Sequence, residues 1–189
     1  FLAVNYQFGG GIPYGKILEL FGTESGGKTL LAMDFAYAAQ QLGGIVIWAD
    51  AEKSFTKQWA ELNGLDMELI HLYKENTIES ISDWVRESVY FWRSQLTKNQ
   101  PILLVVDSLA ALECEANQNE SQSDRKAEMG NRAKAIGTFL RGRNPLLDEL
   151  GICTILVNQL RSKVGASKFE DPDTTPGGEA TKFFADIRA

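Results

Sequence analysis

The segment GTESGGKT, Gly22–Thr29, stands between the apolar run KILELF and the long stretch LLAMDFAYAAQQLGG. A strand-like run leads in, Gly22 is followed after four intervening residues by Gly27, Lys28 and Thr29, and a helix-like run leads out. Glycines let successive backbone N–H groups turn inward around an anion, and the following helix presents its positive end to the same point. The pattern predicts a strand–turn–helix phosphate cradle made of Gly22, Thr23, Glu24, Ser25, Gly26, Gly27, Lys28, Thr29 and Leu30. Lys28 is expected to reach the β- and γ-phosphates of a nucleotide, and Thr29 to offer its hydroxyl to magnesium. A glycine turn with a purely structural role is the competing reading. Correct flanks on both sides weigh against it.

The rest of the chain repeats the strand–helix rhythm. Strands are expected at KILELFG, GGIVIWAD, LIHLY, PILLVVDS and ICTILVNQ, and helices near Lys28–Leu42, Phe55–Asn63, Thr77–Leu96 and Lys126–Leu150. Such alternation implies an α/β fold with a mostly parallel sheet and helices on both faces. ILLVV and TILV are apolar throughout instead of alternating, as strands buried on both sides require. Two stretches break the rhythm, Glu113–Asn131 and Leu160–Gly178. Long connections of this kind in a compact domain are usually functional or disordered. With no internal repeat and no linker, residues 1–189 are expected to form one domain. The chain opens on Phe1 and closes on FFADIRA, which reads as an unfinished strand, so it is expected to be an excerpt of something longer.

Composition narrows the function classes. No apolar run approaches the roughly 18–20 residues that span a bilayer, and no basic-then-apolar signal segment opens the chain. Cys114 and Cys153 lack metal-ligand spacing and are expected to be buried or half-buried thiols of an intracellular, cytoplasmic protein. His71, the one histidine, lies in the short apolar strand LIHLY and is expected to be packed. The net charge of −6 opposes bulk attraction to nucleic acid, so any such binding has to come from local basic loops.

Other residues add to the phosphate site. Asp107 ends the run ILLVVD, where a carboxylate supports magnesium or caps a helix. Asp50 and Glu52 leave the strand IVIWAD, at the edge where ligands of open α/β sheets collect. Either could orient or deprotonate a water that attacks the γ-phosphate. Asn158 and Gln159 end the last long strand, where a polar amide can sense the γ-phosphate. Arg161, Lys163 and Lys168 follow directly in a basic loop.

The phrases GGGIPYGKILELFGTESGGKT, DAEKSF, LLVVDSLAAL, EMGNRAKAIGTFLR, ILVNQLRSKVG and TTPGGEATKFFADIR together resemble the ATPase core of the RecA family of homologous-recombination proteins, bacterial or phage branch. They run in the family's order along nearly the whole chain. The resemblance implies a RecA-like P-loop NTPase core that binds ATP and Mg2+, forms filaments on single-stranded DNA and pairs it with duplex DNA, without a membrane. It makes Glu52 the water-activating carboxylate in preference to Asp50, Gln159 the γ-phosphate sensor, and Trp59 the aromatic against adenine. Loops around Asn117–Glu128 and Leu160–Thr175 match the family's two DNA-binding loops, and Lys182 with Phe183 matches a segment at the filament subunit interface.

The chain also departs from the family. ANQNESQSD in the first loop is acidic and polar where the family is basic or aromatic. The family's N-terminal docking helix and strand have no counterpart, nor have the C-terminal lysines that reach a neighbour's ATP. Two other readings share parts of the pattern: a hexameric RecA-like motor or helicase, and a non-hydrolysing paralogue that binds ATP as a scaffold. The basic loop after Gln159 and the segment TTPGGEATKFFA favour the recombinase over the motor. Retention of Glu52 beside Lys28 and Asp107 disfavours the scaffold.

Overall fold

Five runs rich in β-branched and aliphatic residues build most of one sheet. They are β1 (Ile17–Gly22), β2 (Ile45–Asp50), β3 (Ile70–Tyr73), β4 (Ile102–Asp107) and β5 (Cys153–Gln159). In this computed structural model, residues 9–115, 125–162, 173–174, 176 and 178–189 are described. The helices are α1 (Lys28–Gln41), α2 (Lys57–Leu62), α3 (Ile78–Gln95), α4 (Arg125–Glu149) and α5 (Gly178–Phe184). A short strand, β8 (Ile187–Arg188), closes the main sheet. A separate antiparallel pair, β6 (Arg161–Ser162) with β7 (Asp173–Thr174), lies between β5 and α5.

The main sheet runs β3-β2-β4-β5-β1-β8, and every pairing in it is parallel. All carboxyl ends therefore collect at one edge, the edge where α/β sheets bind ligands. β2 and β4 are buried at every position, and their residues alternate between two cores. Ile45, Ile47, Ile102, Leu104 and Val106 pack against α3 and α4, through Ile81, Val85, Ile136 and Leu140. Val46, Trp48, Leu103 and Val105 pack against α1 on the opposite face, through Ala32, Met33 and Ala36. Full burial of such a side chain contributes about 1.5–3 kcal/mol, so both faces are needed.

Local chemistry sets the ends of these elements. Thr56 caps α2, its hydroxyl accepting from the Trp59 N–H. Gly44 admits the chain to β2 past Pro101, whose carbonyl oxygen would stand 2.1 Å from any Cβ at that position. His71 is packed as its apolar strand implies. Its ring stacks on Trp84 with centroids 5.2 Å apart, and its Nε2 accepts from Trp84 Nε1 at 3.2 Å. Burial lowers the His71 pKa, which keeps that nitrogen free to accept. Cys114 and Cys153 are buried free thiols, and burial pushes Cys153 up to about 11.

Two expectations change. The stretch expected as the first loop, Asn117–Glu128, is shorter, because the α4 backbone is already helical from Arg125. The second, Leu160–Thr175, is a hairpin at its base, where Arg161 pairs with Thr174 and Ser162 with Asp173. Both loops otherwise lie outside the described residues. Among the described residues, no helix is long and apolar enough to cross a membrane.

Candidate nucleotide site

The carboxyl ends of β1, β2, β4 and β5 surround one cleft of about 590 Å³, within the range of small-ligand sites. Residues Glu24 to Leu30 line one side, with Glu52, Trp59, Asp107 and Gln159 around the rest and Val157 beneath. Of the residues expected to form the phosphate cradle, Gly22 and Thr23 do not line it. They stand behind the loop and contribute carbonyl groups.

The loop owes its shape to its small residues. Gly27 has φ +81° and Ser25 φ +57°, the left-handed region that glycine enters without strain. The Gly26 N–H donates to the Thr23 carbonyl at 3.3 Å, closing the turn. No side chain caps α1, whose N-cap is Gly27 itself, so its first amides face the cleft rather than a side chain of the chain. Lys28 Nζ donates to the Gly22 carbonyl at 3.2 Å and to the Thr23 carbonyl at 2.6 Å. These bonds hold the ammonium at the mouth of the turn.

Thr29 Oγ1 donates to Asp107 Oδ2 at 2.9 Å. A hydroxyl and a carboxylate this close form the kind of oxygen pair that magnesium takes when phosphates supply further ligands. Among the described residues, no group of three or more His, Cys, Asp or Glu forms a metal site from protein alone. The pair fits an ion that arrives with a nucleotide. Burial, above all, pushes Asp107 up to about 6. The charges of Glu52 and Asp50 push the same way, against the Thr29 hydroxyl and Lys28. A cation would relieve that penalty.

Asp50 and Glu52 part company at the end of β2. The strand stops at Asp50, so the alternation that would put both acids on one side does not continue. Asp50 is fully buried, accepts from the N–H groups of Ser54 and Phe55 at 3.0 Å each, and stands 3.6 Å from Lys74 Nζ. It secures the turn and does not line the cleft. Glu52 projects from that turn into the cleft. Its Oε1 accepts from Ser108 Oγ and, at 3.2 Å, from Gln159 Nε2. Ser108, buried at the end of β4, is a site residue that pattern alone did not reveal. Its only signal was its place directly after Asp107.

Asn158 is not beside the cleft. Consecutive residues of a strand face opposite ways, and Asn158 is buried on the side where Leu156 packs with α3 and α4. Only Gln159 faces the nucleotide loop, with Gly22 as its neighbour in register on β1.

Trp59 is 39% exposed at the rim of the cleft, on α2. Arg161 lies in β6, its side chain outside the described residues, as are Lys163 and Lys168 altogether. Lys182 and Phe183 lie on α5, far along the chain from the loop, and Phe183 is 81% exposed.

The profile of the RecA N-terminal domain matches residues 2–189. The chain belongs to the RecA family. Curated relatives agree with that placement. The protein RecA of Cytophaga hutchinsonii is 36% identical over 179 residues, covering 95% of this chain and 48% of the relative. That of Aquifex aeolicus is 35% identical over 180 residues, covering 95% and 49%. That of Mesomycoplasma hyopneumoniae is 37% identical over 190 residues, covering 99% and 53%. The chain thus spans about half the length of the curated RecA relatives it matches. Its six-stranded parallel sheet between helices is a RecA-like α/β core.

Proposed function

We propose that this RecA-family chain is the ATP-binding core of a DNA-dependent ATPase. In this reading, ATP-bound subunits form a filament on single-stranded DNA and promote homologous pairing and strand exchange with duplex DNA, in recombination and repair within the cytoplasm. The observation that carries it is the hydrogen bond between Glu52 and Gln159. It joins the acid best placed to activate water to the strand end that leads into Arg161, Lys163 and Lys168.

Each side chain then has a role. Lys28 and the amides of Gly26 to Leu30 hold the phosphates, and Trp59 supports the base. Thr29 and Asp107 would hold Mg2+, which would supply positive charge to the phosphoryl oxygens. Glu52 takes the proton of the attacking water, with Ser108 keeping its carboxylate in orientation. Gln159 moves its amide between Glu52 and the γ-phosphate. The basic residues after it track the DNA backbone without reading sequence, which suits a −6 chain whose attraction has to be local. Lys182 and the exposed Phe183 supply part of a subunit contact. Filament formation and strand exchange draw on the whole protein.

The test is joint-molecule formation between circular single strands and homologous linear duplex. The reading requires products that depend on ATP and on homology. A hexameric motor would unwind forked duplexes regardless of homology. A scaffold would bind ATP and do neither.

A further inference from the structure

Gln159 faces the nucleotide cleft, and the residue before it makes its bonds on the other side of the sheet. Asn158 is fully buried there, beside the equally buried Glu19 of β1. Its Nδ2 donates to Glu19 Oε1 at 2.8 Å and to the Pro176 carbonyl at 2.9 Å. Its Oδ1 accepts from the Gln159 N–H at 3.0 Å. The partners fix which way the amide points, because a carboxylate and a carbonyl only accept and a backbone N–H only donates. No other side chain of this size meets all three demands. Aspartate would set carboxylate against carboxylate, and leucine would leave all three partners unmet. Glu19 in turn is held by Arg188 Nε of β8 at 2.6 Å, and the guanidinium lies 4.7 Å from the centre of the Phe21 ring.

The network reaches both legs of the connection that leaves β5. The return leg is tied to the sheet at Pro176. The outgoing leg is tied by the Leu160 N–H to the Gly22 carbonyl at 3.0 Å, and that carbonyl also receives Lys28 Nζ. Each leg therefore hangs on a group bonded to a residue of the nucleotide site. We infer that Asn158 is a positioning residue that couples the two sides: it joins the return leg of the basic loop to the backbone of Gln159. A shift of Gln159 pulls on Asn158 Oδ1. Glu19, anchored by Arg188, does not yield, so the displacement passes to Pro176 and the loop. The inference rests on the DNA-dependent ATPase reading given above.

The experiment measures coupling in the protein at its full natural length. A fluorescent ATP analogue is titrated with and without an oligonucleotide of single-stranded DNA, and the DNA with and without the analogue. The ratio of affinities has to be the same in both directions. For Asn158→Ala the affinity for the analogue alone is expected within about twofold of the parent, while the ratio falls at least about fivefold. A merely structural role would lower both affinities together and keep the ratio. Asn158→Ala with the parent's ratio overturns the inference and leaves the ATPase reading standing. A parent without any ratio overturns both.

Hydrogen exchange in the unaltered protein is a second test, independent of how the variant folds. The analogue alone is expected to slow exchange in residues 173–179 as well as in the loop at 22–30. Slowing at 22–30 with no change at 173–179 overturns the inference.

Discussion

Gln159 Nε2 stands 3.2 Å from Glu52 Oε1, so the amide that ends β5 and the carboxylate beyond β2 hold each other across the end of the intervening β4. Ser108 donates to the same oxygen. Among the described residues, Oε1 is the Glu52 oxygen that receives both of these donors. In the proposed reading, whatever moves Gln159 also changes how this carboxylate is held.

Lys28→Ala is expected to remove tight ATP binding and leave the fold intact. Among the described residues, the ammonium bonds to the carbonyls of Gly22 and Thr23, and loss of such bonds at a partly exposed site changes stability by about 1 kcal/mol or less. Nucleotide titration together with urea unfolding checks both halves. An affinity within a factor of about two of the parent would mean that the loop is not the phosphate site.

Glu52→Gln and Asp50→Asn should separate along the line between chemistry and architecture. The first is expected to bind ATP as the parent does and to hydrolyse it at least about tenfold more slowly, since general-base catalysis is worth that much or more. Its DNA complexes should last longer. The second removes the charge of a fully buried acid that holds two backbone N–H groups and Lys74, and should lower stability by about 1–3 kcal/mol. Equal loss of turnover without loss of stability in Asp50→Asn would return the catalytic role to that residue.

Asp107→Asn should stabilise the nucleotide-free chain at pH 8 and weaken its use of magnesium. Burial raises the Asp107 pKa to about 6 from 3.8, so between those values the folded chain keeps a proton that the unfolded chain releases. The contribution of Asp107 to stability therefore falls as pH rises from about 4 to 6 and is flat above, by at most about 3 kcal/mol. The variant lacks that slope. Urea unfolding of both proteins without metal or nucleotide should show them similar at pH 4 and the variant ahead by about 1–3 kcal/mol at pH 8. A parent that leads at pH 8 would contradict the account.

Arg161→Ala with Lys163→Ala should weaken binding of single-stranded DNA and flatten its salt dependence, with ATP affinity unchanged. Each lost phosphate contact lowers the slope of log affinity against log salt by about 0.7 for single strands. Gln159→Ala should differ in kind, keeping both ligands and losing their mutual enhancement. The parent's salt slope in the double variant would move DNA binding elsewhere.

Much of this arrangement was legible because parallel strands buried on both faces write themselves as apolar runs, and the five long strands appear where those runs are. The strand–turn–helix shape around Gly22–Leu30 was legible too, since a left-handed Gly27 before a helix is set by local backbone geometry. Other features depend on partners distant in the chain. Nothing near Asp50 signals that Lys74 will neutralise it, and nothing near Asn158 points to Glu19, which meets it only because β1 and β5 are neighbours. The base of the second loop was missed because strands of two residues, Arg161–Ser162 and Asp173–Thr174, carry no periodicity.

The most direct test of the central claim is ATP turnover by the protein at its full natural length, with magnesium, in the presence and absence of single-stranded DNA. The account predicts hydrolysis that rises at least about tenfold with DNA and disappears in Lys28→Ala, as it must if Gln159 relays DNA binding to Glu52. A rate that is the same with and without DNA, or ATP binding with no turnover under either condition, would contradict it.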